Sequence, residues 1–114
     1  MAVTGAHVIL YTPEADAVRA LLSDVFGWQH VDAGHGWLIF ALPPAEAAVH
    51  PADAPTQELY LMCDDLDATI IELRSKGVEF RGEPTDQRWG VVTTMVFPGG
   101  LEIGLYQPRH PTAI

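Results

Sequence analysis

The chain repeats one pattern, and this internal repeat constrains its fold more than any other feature of the sequence. Each copy runs from an alternating apolar stretch into a helical pattern that ends at a glycine. The first copy is AHVILYTPEADAVRALLSDVFGW, with its glycine at Gly27, and the second is QELYLMCDDLDATIIELRSKGVEF, with its glycine at Gly77. A repeated unit that cannot bury its own apolar face usually stacks on its copy. We therefore expect a single domain over residues 1–114, with module one at about 1–54 and module two at about 55–114.

The repeat also aligns two side chains that are able to bind metal ions. Asp16 and Asp67 are 51 positions apart, and the same separation relates His7 to Glu58. Imidazole and carboxylate groups are both common metal ligands. If the modules pack face to face, a site is expected between them.

Periodicity predicts two helices and eight strands. The helices are expected at 14–26, where Val18 and Leu22 lie on one apolar stripe, and at about 65–76. The element order is then βαβββ twice, which favours an α+β fold in which eight strands form a partly open, barrel-like cup with the helices outside. The alternation of apolar and polar residues predicts the strands at 6–11, 28–31, 37–42, 46–50, 59–63, 78–80, 91–97 and 101–106.

The charge of the chain argues against a nucleic-acid partner. The formal net charge is −9 and only 6 residues are lysine or arginine, whereas binding to a phosphate backbone depends on such residues. No apolar run approaches the roughly 20 residues of a membrane span, and the N-terminus lacks the pattern of a signal peptide. We expect a cytoplasmic protein without nucleic-acid or membrane partners, whose ligand is a small molecule held in the cup.

Strand alternation predicts which side chains line the cup. The single cysteine, Cys63, falls with Leu59 and Leu61 on the opposite face and is expected to be a structural thiol. The concave set combines apolar, aromatic and ionisable residues from the first and last strands of each module: His7, Ile9, Tyr11, Glu46, Ala48, His50, Glu58, Tyr60, Met62, Glu102, Gly104 and Tyr106. The remaining histidines are expected in loops or at the terminus, with no functional role: His30, His35 and His110.

These segments resemble the vicinal oxygen chelate superfamily, which includes glyoxalase I, bleomycin- and fosfomycin-resistance proteins, extradiol dioxygenases and methylmalonyl-CoA epimerase. The similarity covers essentially the whole chain, and RWGVVTTMVFPGGLEIGLYQP, with its Pro-Gly-Gly turn, completes the second module. The resemblance implies the two-module cup and a homodimer.

In the metal-dependent members that the chain resembles, each module supplies one ligand from its first strand and one from its last. The resemblance assigns His7 and Glu58 to the first-strand positions, where they would bind Zn²⁺, Ni²⁺, Fe²⁺ or Mn²⁺. At the last-strand positions it places Ala48 and Gly104, which have no donor atom. Half of the ligand set is therefore missing, because a side chain two residues along a strand is displaced by roughly 6.5 Å.

Three functions are compatible with this pattern. The first is a binding protein without metal chemistry, whose ligand contacts His7, Ile9, His50, Tyr60, Met62, Trp89 and Tyr106. The second is a metal-dependent lyase, isomerase or dioxygenase, in which His7 and Glu58 bind the ion and Glu102 is a third ligand or a general base, so that Glu58 and Glu102 are the catalytic candidates. The third is a metal-free enzyme that uses Glu58 and His7 as an acid–base pair.

Overall fold

The chain folds into two helices and two β-sheets in the computed structural model, which describes residues 6–114. The predicted α+β class is confirmed. A short 3₁₀ turn at Pro98–Gly100 joins the last two strands. In chain order the elements are α1 (Ala15–Asp24), β1 (His30–Asp32), β2 (Leu38–Phe40), β3 (Tyr60–Met62), α2 (Leu66–Ser75), β4 (Glu79–Gln87), β5 (Gly90–Phe97) and β6 (Leu101–Pro108).

The second half of the chain has the predicted βαβββ order and forms a four-stranded mixed sheet. Its strand order is β3-β6-β5-β4. β3 runs parallel to β6, with Tyr60 opposite Gly104, whereas the other neighbours are antiparallel. In the β5–β6 pair, Val92 lies opposite Tyr106. These registers fix which side chains share each face of the sheet.

The helix α2 forms because its sequence supplies both a cap and an apolar stripe. The Asp65 carboxylate accepts a hydrogen bond of 3.1 Å from the Ala68 amide, which satisfies one of the free donors of the first turn. Leu66, Ile70 and Leu73 recur at helical spacing and are buried. The stripe therefore turns towards the sheet.

Both helices cover the same face of the four-stranded sheet. The core joins the α2 stripe to apolar side chains of α1, β5 and β6, and within residues 6–114 the opposite face of the sheet has no helix over it. We call that opposite face the open face. The buried residues that the helices and strands contribute to the core are Val18, Leu22, Leu66, Ile70, Leu73, Met95, Phe97, Ile103 and Leu105.

The turn between β5 and β6 ties the two halves of the chain together. Gly99 has a φ of 82°, a left-handed conformation that glycine adopts without steric cost. The Thr12 hydroxyl donates a hydrogen bond of 2.7 Å to the Pro98 carbonyl. A side chain at position 99 would overlap Thr12, so glycine also makes room for this contact.

The described residues contain six strands, so the prediction of an eight-stranded cup is not met in this structure. Residues 6–11 and 46–50 are not strands. Alternation fixes the sidedness of a strand but does not provide a partner for its backbone N–H and C=O groups. Residues 46–50 also lie between Pro44 and Pro51, which carry no backbone donor. The first half therefore keeps only the β1–β2 pair, whereas β4 is longer than predicted.

The first half leaves much apolar surface uncovered. Tyr11 is 81% exposed, Val31 66%, Trp37 59% and Val49 99%. The radius of gyration is 15.1 Å, whereas a compact chain of this length has about 13 Å. We call Tyr11, Val31, Trp37 and Val49 the exposed apolar set.

Candidate ligand-binding site

Three aromatic rings meet on the open face of the four-stranded sheet. Tyr60 reaches it from β3 and Tyr106 from β6, and the hairpin between β4 and β5 brings Trp89 beside them. The ring centroids are 6.1 Å apart for Tyr60 and Trp89, 5.8 Å for Tyr60 and Tyr106, and 5.3 Å for Trp89 and Tyr106. All three pairs are edge-to-face, an arrangement that aromatic quadrupoles favour. We call these residues the aromatic cluster; the structure brings together three of the side chains that were predicted to contact a ligand.

The cluster combines a buried ring with two partly accessible ones. Tyr106 is only 9% exposed, whereas Tyr60 and Trp89 are each 40% exposed. Large aromatic side chains at this exposure present apolar surface to a ligand and remain fixed by their neighbours.

Gly104 makes room for the Tyr60 ring. A Cβ at position 104 would lie 2.8 Å from Tyr60 Cγ and nearer still to two other ring carbons, which is closer than real Cβ contacts. The ring therefore fills the space where the resemblance places a last-strand metal ligand.

Arg109 holds Trp89 in place from the segment after β6. Its backbone amide donates a hydrogen bond of 2.9 Å to the Trp89 carbonyl. Its guanidinium forms an ion pair with Asp86 and donates to the Gln87 carbonyl at 3.3 Å. The tip of the β4–β5 hairpin is thus anchored at three points.

His110 extends the aromatic cluster, although the sequence predicts no functional role for it. Its ring stacks on Tyr106 with centroids 5.9 Å apart and an interplanar angle of 29°. Its Nε2 lies 3.0 Å from the Tyr106 hydroxyl, and its Nδ1 lies 2.8 Å from the Pro111 carbonyl. Because the Pro111 carbonyl only accepts, the His110 Nδ1 carries a proton and donates it to this carbonyl. This contact depends on how the chain turns after Pro108, for which the sequence shows no periodic signal.

Glu46 reaches the same cluster from an irregular segment. Its Oε2 lies 4.0 Å from His110 Nε2, and its Oε1 accepts a hydrogen bond of 2.7 Å from the Ala113 amide. Its side chain is only 20% exposed. The predicted concave position of Glu46 rested on a strand that does not form, yet the carboxylate does reach the open face.

Burial, together with a nearby carboxylate, raises the pKa of each of the two tyrosines. Burial raises the pKa of Tyr60 above its ordinary value of 10.0, and the hydrogen bond and negative charge of Glu58 raise it further. Burial, followed by the charge of Glu46, raises the pKa of Tyr106 in the same direction. Both phenols are therefore un-ionised at neutral pH.

Two further predicted residues have specific neighbours. Met62 lies opposite Tyr106 in the sheet and lines an open groove of about 620 Å³ beside His110. Glu102 lies on the open face, where its carboxylate accepts a hydrogen bond of 2.6 Å from Arg81. Arg81 therefore occupies one oxygen of this carboxylate, and the role of Glu102 as a metal ligand or general base stays a prediction.

The remaining predicted residues lie in irregular segments. His7, Ile9 and His50 are exposed, and the His50 Nδ1 contacts only the neighbouring Pro51 carbonyl, at 2.7 Å. The structure does not bring them into the aromatic cluster.

Cys63 has the environment of a structural thiol. It is half-buried, and its Sγ lies 3.6 Å from the Tyr106 carbonyl. Burial raises the pKa of the thiol above its ordinary value of 9.0. A raised pKa lowers the thiolate fraction and with it the nucleophilicity.

The described residues do not fit the metal centre of the metal-dependent relatives. No group of three or more histidine, cysteine, aspartate or glutamate side chains within residues 6–114 is arranged to hold an ion. The Tyr60 ring occupies the space at Gly104, and Ala48 carries no donor atom. At Gly104, where the resemblance implies a last-strand metal ligand, the structure has the Tyr60 ring.

A family model of the Glyoxalase/Bleomycin resistance protein/Dioxygenase superfamily matches residues 5–105. The chain belongs to this superfamily. The recognition made from the repeat and the last strand is thereby confirmed. Members of the superfamily differ in chemistry, so the function must be argued from the site.

Solved structures with a similar fold cover most of the chain. TnmS3, an antibiotic binding protein from Streptomyces sp. CB03234, is 25% identical with a TM-score of 0.68, over 95% of this chain and 98% of that one. A glyoxalase/bleomycin resistance protein from the same strain is 26% identical with a TM-score of 0.58, over 86% and 95%. Lactoylglutathione lyase from Agrobacterium tumefaciens has a TM-score of 0.63 over 91% and 92%, and at 17% identity it shows the fold alone. Comparison with curated proteins gives no match.

The helices of residues 6–114 do not resemble membrane spans. Each is 10 residues long, and neither has the length and hydropathy that crossing a bilayer requires.

Proposed function

We propose that this protein binds a small planar or apolar molecule against the aromatic cluster and does so without metal chemistry. The observation that carries the proposal is the meeting of Tyr60, Trp89 and Tyr106 on a sheet face that no helix of the described residues covers. Two of these rings are 40% exposed, which gives a ligand direct access to them.

The surroundings of the cluster support a binding role. Arg109 and Asp86 fix the hairpin that carries Trp89, and Gly104 fixes the position of the Tyr60 ring. A site whose side chains are already held in place loses less entropy when a ligand binds. The similarity to an antibiotic binding protein supports the same class of function.

Replacing Trp89 with alanine is expected to weaken the binding of a planar ligand by about tenfold or more, because large aromatic side chains dominate binding energies. The measurement is a calorimetric titration with acridine, kept neutral by mildly alkaline buffer. Ile71→Ala is the matched control, since Ile71 is 71% exposed on α2, away from the open face. Equal affinity for the wild type and Trp89→Ala, or no acridine binding at all, would refute the proposal.

We also propose that two copies of the chain associate and that the predicted cup is completed across the pair. The exposed apolar set is a large part of the apolar surface of the first half, and its contact with water is unfavourable in free energy. Residues 6–11 and 46–50 have the alternation of strands but pair with no strand within the described residues. A second copy would supply both the apolar cover and the strand partners, with the symmetry usual for homodimers.

Light scattering at micromolar concentration is expected to give about twice the chain mass of 12.4 kDa. Val49→Asp should shift the protein towards monomer, because Val49 is 99% exposed and a carboxylate there resists burial in an interface. Ile71→Asp adds the same charge on α2 and should leave the mass unchanged. A monomer in the wild type contradicts the proposed dimer.

A further inference from the structure

We propose that residues 109–114, which follow β6, form a strap over Tyr106 and that a flat ligand has to displace this strap to reach the whole aromatic cluster. The part of the strap that the ligand displaces is the His110 ring. The inference rests on the proposed function, because it concerns the same site. It adds a conformational step that limits access to that site.

The His110 ring lies where a flat ligand would stack. Tyr60 and Trp89 both meet the Tyr106 ring edge-to-face. His110 instead stacks on Tyr106, with an interplanar angle of 29° and centroids 5.9 Å apart. Its Nε2 lies 3.0 Å from the Tyr106 hydroxyl. A flat heteroaromatic ligand would use the same ring surface and the same hydroxyl, so His110 and the ligand compete for Tyr106.

The strap is held firmly at one end and loosely at the other. At its root, the backbone amide and the guanidinium of Arg109 bond to the β4–β5 hairpin. At its far end, the Ala113 amide donates a hydrogen bond of 2.7 Å to Glu46 Oε1. Within residues 6–114, this is the one hydrogen bond that joins residues 111–114 to a residue outside the strap. A single hydrogen bond contributes little net stability, so the far end can detach while the root stays in place.

Open space beside the strap allows this movement. The groove of about 620 Å³ is lined by Met62 and Asp64, from β3 and the turn after it, and by His110, Thr112 and Ile114 of the strap. Because this side of the strap faces open space, the strap can move without disrupting the packed core. A ligand that needs the open form has an apparent affinity reduced by the fraction of molecules that are open.

Opening the strap is expected to tighten acridine binding about three- to tenfold in a calorimetric titration. Ala113→Pro removes the amide that donates to Glu46 and leaves every ring of the aromatic cluster unchanged. Ala113→Ser keeps the amide and is the matched control, which should bind acridine as the wild type does. His110→Ala removes the competing ring itself and should act in the same direction as Ala113→Pro. Unchanged or weaker binding in either of these two variants overturns the inference, because His110 would then be a wall of the site.

Hydrogen exchange measured by NMR follows the strap in the wild type. At saturating acridine, the Ala113 amide should exchange several-fold faster, because the ligand breaks its hydrogen bond to Glu46. The Arg109 amide, at the root, should keep its exchange rate. Slower exchange at Ala113 would mean that the strap closes over the ligand, and an unchanged rate would mean that the strap does not move. Either result contradicts the proposed displacement.

The possible results separate this inference from the proposed function. If Trp89→Ala weakens acridine binding but Ala113→Pro and His110→Ala do not tighten it, the strap inference fails and the binding function stands. If acridine binds to none of these proteins, the proposed function fails, and the strap inference fails with it.

Discussion

Replacing Gly104 with alanine is expected to displace the Tyr60 ring, to lower the free energy of unfolding by about 1–3 kcal/mol, and to weaken acridine binding. The cause is steric, since the new Cβ would overlap the ring. Gly104 does not have a positive φ, so alanine adds no backbone strain there. Urea unfolding gives the stability, and near-ultraviolet circular dichroism reports the packing of the rings.

A double-variant cycle isolates this contact. When Tyr60 is already alanine, Gly104→Ala has no ring to displace and should cost little. The coupling between the two substitutions measures the contact itself. If Gly104→Ala is equally destabilising in the wild type and in Tyr60→Ala, the contact with Tyr60 does not explain why position 104 needs a glycine.

Replacing Met95 with alanine is expected to give the largest loss of stability, about 2–5 kcal/mol. Met95 is 0% exposed and lies in β5 between its sheet partners Phe80 and Ile103. Alanine would leave a cavity among apolar side chains that have little freedom to move inward. The urea concentration at the midpoint of unfolding should fall accordingly, and the slope of the free energy of unfolding against urea concentration should stay the same.

Met95→Leu is the matched control, because it conserves volume and should cost less than about 1.5 kcal/mol. Met95 faces the helices, so Met95→Ala should retain acridine affinity under conditions in which the protein stays folded. A loss of binding without a loss of stability would show that the two faces of the sheet are not independent. If Met95→Ala lowers the free energy of unfolding by less than about 1 kcal/mol, the core closes around the smaller side chain.

The second module was predictable because local pattern and neighbouring strands agree there. The alternation of Leu101, Ile103 and Leu105 with Glu102, Gly104 and Tyr106 assigned the two faces of β6, and the Pro-Gly-Gly turn paired it with β5. The same alternation in residues 6–11 and 46–50 did not produce strands, because a strand also needs a neighbour.

The site was predictable only where strands carry it. Alternation placed Tyr60 and Tyr106 on one face, and the hairpin position of Trp89 brought it near them. The contact of Glu46 with His110 joins two irregular segments, and no periodicity relates them. The pairing of Arg81 with Glu102 depends on β4, which was predicted to end at residue 80 and continues to Gln87.

The central position of β6 in the sheet has a consequence for folding. β6 is the only strand that β3 pairs with in the four-stranded sheet, so Tyr60 and Tyr106 meet only after a long loop has closed. Such non-local pairing is slow compared with the formation of a hairpin like β4–β5. A partly folded chain without the β3–β6 pairing lacks the aromatic cluster. A ligand that bridges the two tyrosines therefore binds only to chains in which the sheet is complete. As the ligand concentration rises, mass action shifts the population of chains from incompletely folded forms to the folded form.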